Sequence, residues 1–186
     1  RLSLVGSEMC IRDRYNMSTL NVDTIQDKGG AFEHARLVQV QTTNKVDYFT
    51  TSSTSLVDVT GLSVAITPTN SNNKILILAS FVVGVNTSGG YGGLMSLLRG
   101  STKIASGDGT SAGAINDQTL SYVPTSDFNA FPVPVVFLDS PSTTSSTTYK
   151  IQLAAMAGGN SANVGGRGDG AGQGCHSSIV AMEIRT

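Results

Sequence analysis

Cys175 and His176 are adjacent near the C-terminal end of the chain. A thiol beside an imidazole could serve as nucleophile and base, or as two ligands of a metal ion. Consecutive residues of an extended strand point to opposite faces, which opposes both uses. The second histidine, His34, is distant in sequence, and zinc requires three or four ligands. Gly158–Gly174 is glycine-rich in the manner of a phosphate loop. No Lys-Ser or Lys-Thr follows it and no helical pattern opens there, so the phosphate-binding mechanism has no parts to work with. No catalytic constellation comes from these residues. The chain is expected not to be an enzyme, and to need neither cofactor nor metal.

Residues suited to binding are easier to find. Asp108, Asp117 and Asp127 lie in or near loops; clustered loop carboxylates can hold calcium, but isolated ones more often solvate turns. Tyr91, Tyr122 and Phe128 could be platforms for sugar rings, or could simply pack in the core. Arg167-Gly168-Asp169 spells an integrin-binding tripeptide within a glycine-rich stretch, where chance is the better account. Asn86-Thr87-Ser88 is formally a glycosylation sequon, meaningful only on a eukaryotic secretory route. The ligand-contact candidates are therefore loop residues: Asn86, Tyr91, Asp108, Phe128, Arg167, Asp169 and His176.

Such loops need a scaffold, and its signal is period two from Arg36 onward, the pattern of half-buried strands. Strands are expected at Leu37–Gln41, Leu56–Val59, Leu62–Ile66, Lys74–Val85, Gly92–Arg99, Thr102–Ala105, Gln118–Val123, Phe131–Leu138, Thr147–Ala157 and Ser177–Ile184. Thr60-Gly61 is expected to be a turn between two of them, and Gly158–Gly174 a long surface loop. Lys74–Val85 is apolar on both faces, which suits a central strand or a subunit interface. Pro132 and Pro134 alternate, as on an edge strand whose missing donors fall on one side. Roughly ten short antiparallel strands without a helix indicate an all-β fold. The chain has no Trp, so an immunoglobulin pattern fails, and a jelly-roll β-sandwich is expected. Simple up-and-down alternation from Leu62 would put Asn86–Tyr91, Ser106–Asp117 and Asp139–Ser146 at one end. Pro124–Asn129, Gly158–His176 and Thr69–Asn73 would share the other.

Composition narrows the class. Charged residues are 13% of the chain and the net charge is −1, against roughly 25% charged in ordinary soluble domains. Hydroxyl side chains and 21 glycines do the solvating instead. There is no basic stripe of the kind nucleic acid demands, and no apolar run long enough to span a bilayer.

Two resemblances add to this. Ser3–Arg14, S-L-V-G-S-E-M-C-I-R-D-R, resembles the conceptual translation of a transposase-type sequencing adapter. That implies an adapter-derived segment at residues 1–16, a start at Met17 and a metagenomic origin. Glu8, Arg12 and Asp13 also interrupt the apolar core a secretory signal would need. With Cys10 set aside, Cys175 is alone and no intrachain disulfide is expected.

The second resemblance runs through the rest of the chain, in order: M-S-T-L-N-V-D-T-I-Q (Met17–Gln26), the block Phe49–Pro68, K-I-L-I (Lys74–Ile77), L-L-R-G-S-T-K-I (Leu97–Ile104), F-L-D-S-P-S-T-T-S-S-T-T-Y-K-I-Q (Phe137–Gln152) and A-M-E-I (Ala181–Ile184). Together these resemble tail-fibre-like virion proteins of marine phages. The resemblance implies a short extended N-terminal arm at 17–34 and a jelly-roll head at 35–186, similar to the trimeric complement and tumour-necrosis-factor type. It further implies a homotrimer that recognises a host, with other virion tail proteins and a host cell-surface glycan or protein as partners. The location implied is the virion tail, after assembly in the host cytoplasm. Neither nucleic-acid binding nor membrane insertion is expected. The alternatives are a capsid decoration or tail-tip structural protein without a receptor role, and a secreted trimeric signalling-type ligand.

Overall fold

The structure is a computed structural model that describes residues 37–86, 92–107, 121–123, 130–156, 158–169 and 174–186, with the side chains of 121–123 left out. The leader and arm expected at 1–34 lie outside these residues. The described residues form eleven strands and no helix: β1 (Leu37–Lys45), β2 (Phe49–Thr51), β3 (Val57–Ile66), β4 (Lys74–Asn86), β5 (Gly93–Arg99), β6 (Thr102–Ile104), β7 (Ser121–Val123), β8 (Ala130–Asp139), β9 (Thr147–Ala155), β10 (Ser161–Val164) and β11 (Ser177–Ile184).

Every pairing is antiparallel, and the pairs nest. β1 pairs β11, β3 pairs β9, β4 pairs β8 and β5 pairs β7. One long hairpin has thus been rolled so that its two arms lie side by side, which is the jelly-roll arrangement. β4 also pairs β11, and β5 also pairs β9, joining the pairs into two sheets. One sheet runs β1-β11-β4-β10-β2 with β8 on the far edge of β4; the other runs β3-β9-β5-β6 with β7 also on β5.

Alternation builds the core. β3 buries Val59, Leu62, Val64 and Ile66, and β4 buries Ile75, Ile77, Ala79, Phe81, Val83 and Val85. Met95, Leu97, Tyr149, Ile151, Leu153, Ile179 and Ala181 meet them from the other strands. Each large aliphatic side chain taken from water contributes about 1.5–3 kcal/mol. With no disulfide among the described residues, packing holds the sheets together; Cys175 is a free thiol.

Three expectations need correction. Thr60-Gly61 is not a turn between two strands but a bulge inside β3. Asp58 pairs Gln152 and Ser63 pairs Lys150, so β3 carries extra residues between those two rungs. Gly61 takes a positive φ of 80° there, which is why glycine reads as a turn in sequence. Next, the stretch expected as one loop after Gly158 contains β10, which pairs β4 on one side and β2 on the other. Finally, simple alternation fails at β6 and β7. Both run antiparallel to β5 along the same edge, at Leu97–Arg99 and Gly93–Met95 respectively. They are two parts of one edge, so the parity of everything after them inverts. The segment Asp139–Ser146 therefore shares an end with Thr69–Asn73, and Gly158–His176 leads to the end where Asn86 lies.

The end near Thr69 is closed by two buried carboxylates on one rung, Gln39-Glu183-Ile75-Asp139. Glu183 is fully buried. Its Oε1 accepts from the Thr69 amide at 2.7 Å, the Thr69 hydroxyl at 2.8 Å and Asn73 Nδ2 at 2.6 Å, and its Oε2 from Gln39 Nε2 at 2.6 Å. Burial alone would raise its pKa; the hydrogen bonds from Asn73, Gln39 and Thr69 outweigh that and hold it at about 2. Asp139 crosses to the other sheet. It accepts from the Tyr149 hydroxyl at 2.7 Å and from Arg99 Nη1 at 3.0 Å. Burial, then the bond to Asp139, raises the Tyr149 pKa far above the ordinary phenol value, so it stays a donor.

Because the folded-state pKa of Glu183 lies below the ordinary 4.5, its stabilisation is present above that value and is lost as pH falls towards 2. Thermal melts across this interval should show the Tm falling with acid. Glu183→Gln should flatten that dependence while costing on the order of 2 kcal/mol near neutrality.

Candidate functional site

The sequence candidates converge in part. Asn86 closes β4, is exposed and pairs Ser161. The segment after β10 folds back over the same strand. A Cβ on Gly84 would lie 2.5 Å from the Gly166 carbonyl oxygen, and one on Gly168 would run into that of Val85. Backbone thus stacks on backbone, an approach that needs glycine. Asn163 Nδ2 donates to the carbonyls of Arg167 at 3.3 Å and Gly168 at 3.1 Å, and the Tyr48 hydroxyl donates to Arg167 O at 3.3 Å. This strap brings Arg167 and Asp169 beside Asn86.

Arg167 and Asp169 form an ion pair, with Nε 3.2 Å from Oδ1. The hydrogen bond to Asp169 raises the arginine pKa further; burial, then the charge of Asp169, raises that of Tyr48. The tripeptide is closed on itself instead of extended for an integrin-like partner. His176 is exposed just beyond the strap, where the Cys175 amide donates to Gly165 O at 2.8 Å. Among the described residues no group of three or more His, Cys, Asp or Glu could hold a metal. Tyr91, Asp108, Asp117, Asp127 and Phe128 lie outside the described residues, and nothing is described of the Tyr122 side chain. The G-T-S-A-G of Gly109–Gly113, which has nucleophile-elbow spacing, is also outside them.

Two surfaces lie apart from the loop candidates, the first of them on the strand whose two-sided apolarity already suited a subunit interface. The outer face of the six-stranded sheet is apolar in register. One rung runs Val40-Met182-Leu76-Leu138 and the next runs Thr42-Val180-Leu78-Val136. Val136 is 75% exposed, Leu138 51% and Val40 44%. Pro134 and Pro132 continue this face beside Ser80 and Val82. Among the described residues β8 pairs β4 alone, so the alternating prolines mark an edge there.

The outer face of the five-stranded sheet is polar along β3 and β9, where Asp58, Ser63, Thr148, Lys150 and Gln152 lie. The β3 bulge rises on one side of it and the Gly100-Ser101 turn on the other. Between them lies an open groove of about 520 Å³ lined by Asp58, Val59, Thr60, Gly61, Ser63, Gly100, Ser101, Thr148 and Lys150. Asp58 accepts from Lys150 Nζ at 2.8 Å and from Gln152 Nε2 at 2.7 Å. The Lys150 bond, then the Gln152 bond, lowers the Asp58 pKa. Beneath the bulge, Lys45 is buried with its amine 2.8 Å from Asp47 and its chain against Gly61. The visible trace of this site in the sequence is Gly61 within an alternating run.

No protein-family profile and no curated protein sequence matches the chain. Among solved structures, a chain of the infectious bursal disease virus Gx strain overlaps 88% of this chain at 16% identity with a TM-score of 0.43, over 42% of its own length. A chain of the T13 particle of the same virus overlaps 92% at 14% identity with a TM-score of 0.44, over 40% of its own length. The chain thus spans about two-fifths of those chains. At this overlap the likeness bears on neither role nor partner.

Gly168→Ala should lift the strap off β4, since the new methyl group meets backbone. A loss of about 2 kcal/mol or more is expected in chemical denaturation, together with faster hydrogen exchange at the Cys175 amide.

Proposed function

We propose that the chain is a virion structural protein of phage tail-fibre or host-recognition type, which assembles as a homotrimer and presents loops to a host surface. The observation that carries the reading is the apolar outer face of the six-stranded sheet. Contiguous apolar surface of this kind marks an interaction site on a soluble protein. The prolines of β8 leave that edge without donors at alternate positions, so copies meet through the face and not by extending the sheet. The ordered sequence blocks shared with tail-fibre-like proteins supply the virion context, and the jelly roll suits it. In this reading residues 17–34 are an arm that attaches the head to other tail proteins. The end carrying Asn86, Arg167, Asp169 and His176 points towards the host cell-surface glycan or protein.

The full chain should scatter light as a trimer. Val136→Lys and Val180→Lys place charge on the apolar rungs without touching the core. Each should weaken association about tenfold or more while leaving the circular dichroism spectrum unchanged. A wild-type chain that stays monomeric would overturn the assembly reading.

A further inference from the structure

We infer that the groove between the β3 bulge and the Gly100-Ser101 turn is a saccharide-binding site. This deepens the host-recognition part of the proposed function by naming a ligand class, but it does not depend on assembly.

The chemistry of the groove selects the ligand. Its floor is Thr148 and Lys150 of β9, and its walls carry the exposed residues Thr60, Ser63 and Ser101. Each hydroxyl can both donate and accept. Asp58 is the fixed acceptor, held by Lys150 and Gln152, one donor on each oxygen. A carboxylate offers about four lone-pair sites, so each oxygen keeps capacity for a donor arriving from solvent. The Asp58 side chain is 54% exposed, so an incoming group can reach it. Neighbouring hydroxyls of a sugar ring can donate to this carboxylate while accepting from the ammonium beside it.

Charge excludes the main competitors. Among the described residues the groove is lined by one carboxylate and one ammonium, which face each other 2.8 Å apart. The groove therefore has no surplus positive charge to hold phosphate, nucleic acid or another polyanion. A volume of about 520 Å³ lies within the range of small-ligand sites. The site is also rigid where it matters. Gly61 allows the bulge its positive φ of 80°, and the buried Lys45 chain lies against it from within. Sheet packing thus sets the spacing between bulge and turn before any ligand arrives, which lowers the ordering cost of binding.

The test is an array of bacterial surface polysaccharides probed with the full chain. Binding to at least one polysaccharide is expected. Asp58→Asn and Lys150→Met should each reduce it about tenfold or more, and Ser101→Trp should block it by filling the groove from an exposed turn. Circular dichroism would verify that each variant is folded. The inference is overturned by three results: no polysaccharide is bound, binding is indifferent to all three groove variants, or binding is abolished by Arg167→Ala while the groove variants retain it. Light scattering on the same samples separates the readings. A trimer that binds no polysaccharide refutes the groove alone, and a monomer that binds through the groove refutes assembly alone.

Discussion

Strand β4 is a 13-residue strand with partners on both edges and apolar side chains on both faces. β11 and β10 share one edge and β8 takes the other. Its inner face supplies Ile75, Ile77, Phe81, Val83 and Val85 to the core, while its outer face joins Leu76 and Leu78 to the exposed apolar rungs. Because strand side chains alternate, a one-residue slip would exchange these faces and bring Ser80 inward. Both core and outer surface therefore depend on this one register.

The two ends of the sandwich are closed by different physics. At the end near Thr69, Glu183 and Asp139 gather donors from loops and from the opposite sheet. Charge-assisted bonds of this sort are strong when the carboxylate is buried, but they make the end sensitive to acid. At the end near Asn86, close backbone stacking at Gly84 and Gly168 replaces side-chain chemistry. Here Asn163 Oδ1 and, nearby in sequence, Ser177 Oγ are buried without a hydrogen-bond partner among the described residues. Such groups cost stability.

The two broad faces also divide. One presents aliphatic side chains and prolines, the other a paired carboxylate and ammonium among hydroxyls. An apolar face gains by being covered, whereas a polar groove with its charges already balanced can stay in water at little cost. This division separates self-association from ligand contact on a small head.

The strand pattern, the central place of Lys74–Val85 and the edge place of Pro132 and Pro134 were determined by sequence alone. Alternation, two-sided apolarity and proline's missing donor are local properties that act before any partner is chosen. Bulge or turn at Gly61 is not local, because both use a glycine at positive φ; pairing with β9 decides between them. The burial of Glu183 and Lys45 was likewise hidden, since a charged residue on an alternating strand reads as solvated until its donors arrive from Thr69, Asn73 and Gln39, or its acceptor from Asp47. The colinearity of β6 and β7 reversed the ends expected for the later loops, and only their shared partner β5 reveals it. The groove belongs to the same class. Asp58 and Lys150 are 92 residues apart in the chain, and sheet register alone sets them 2.8 Å from one another.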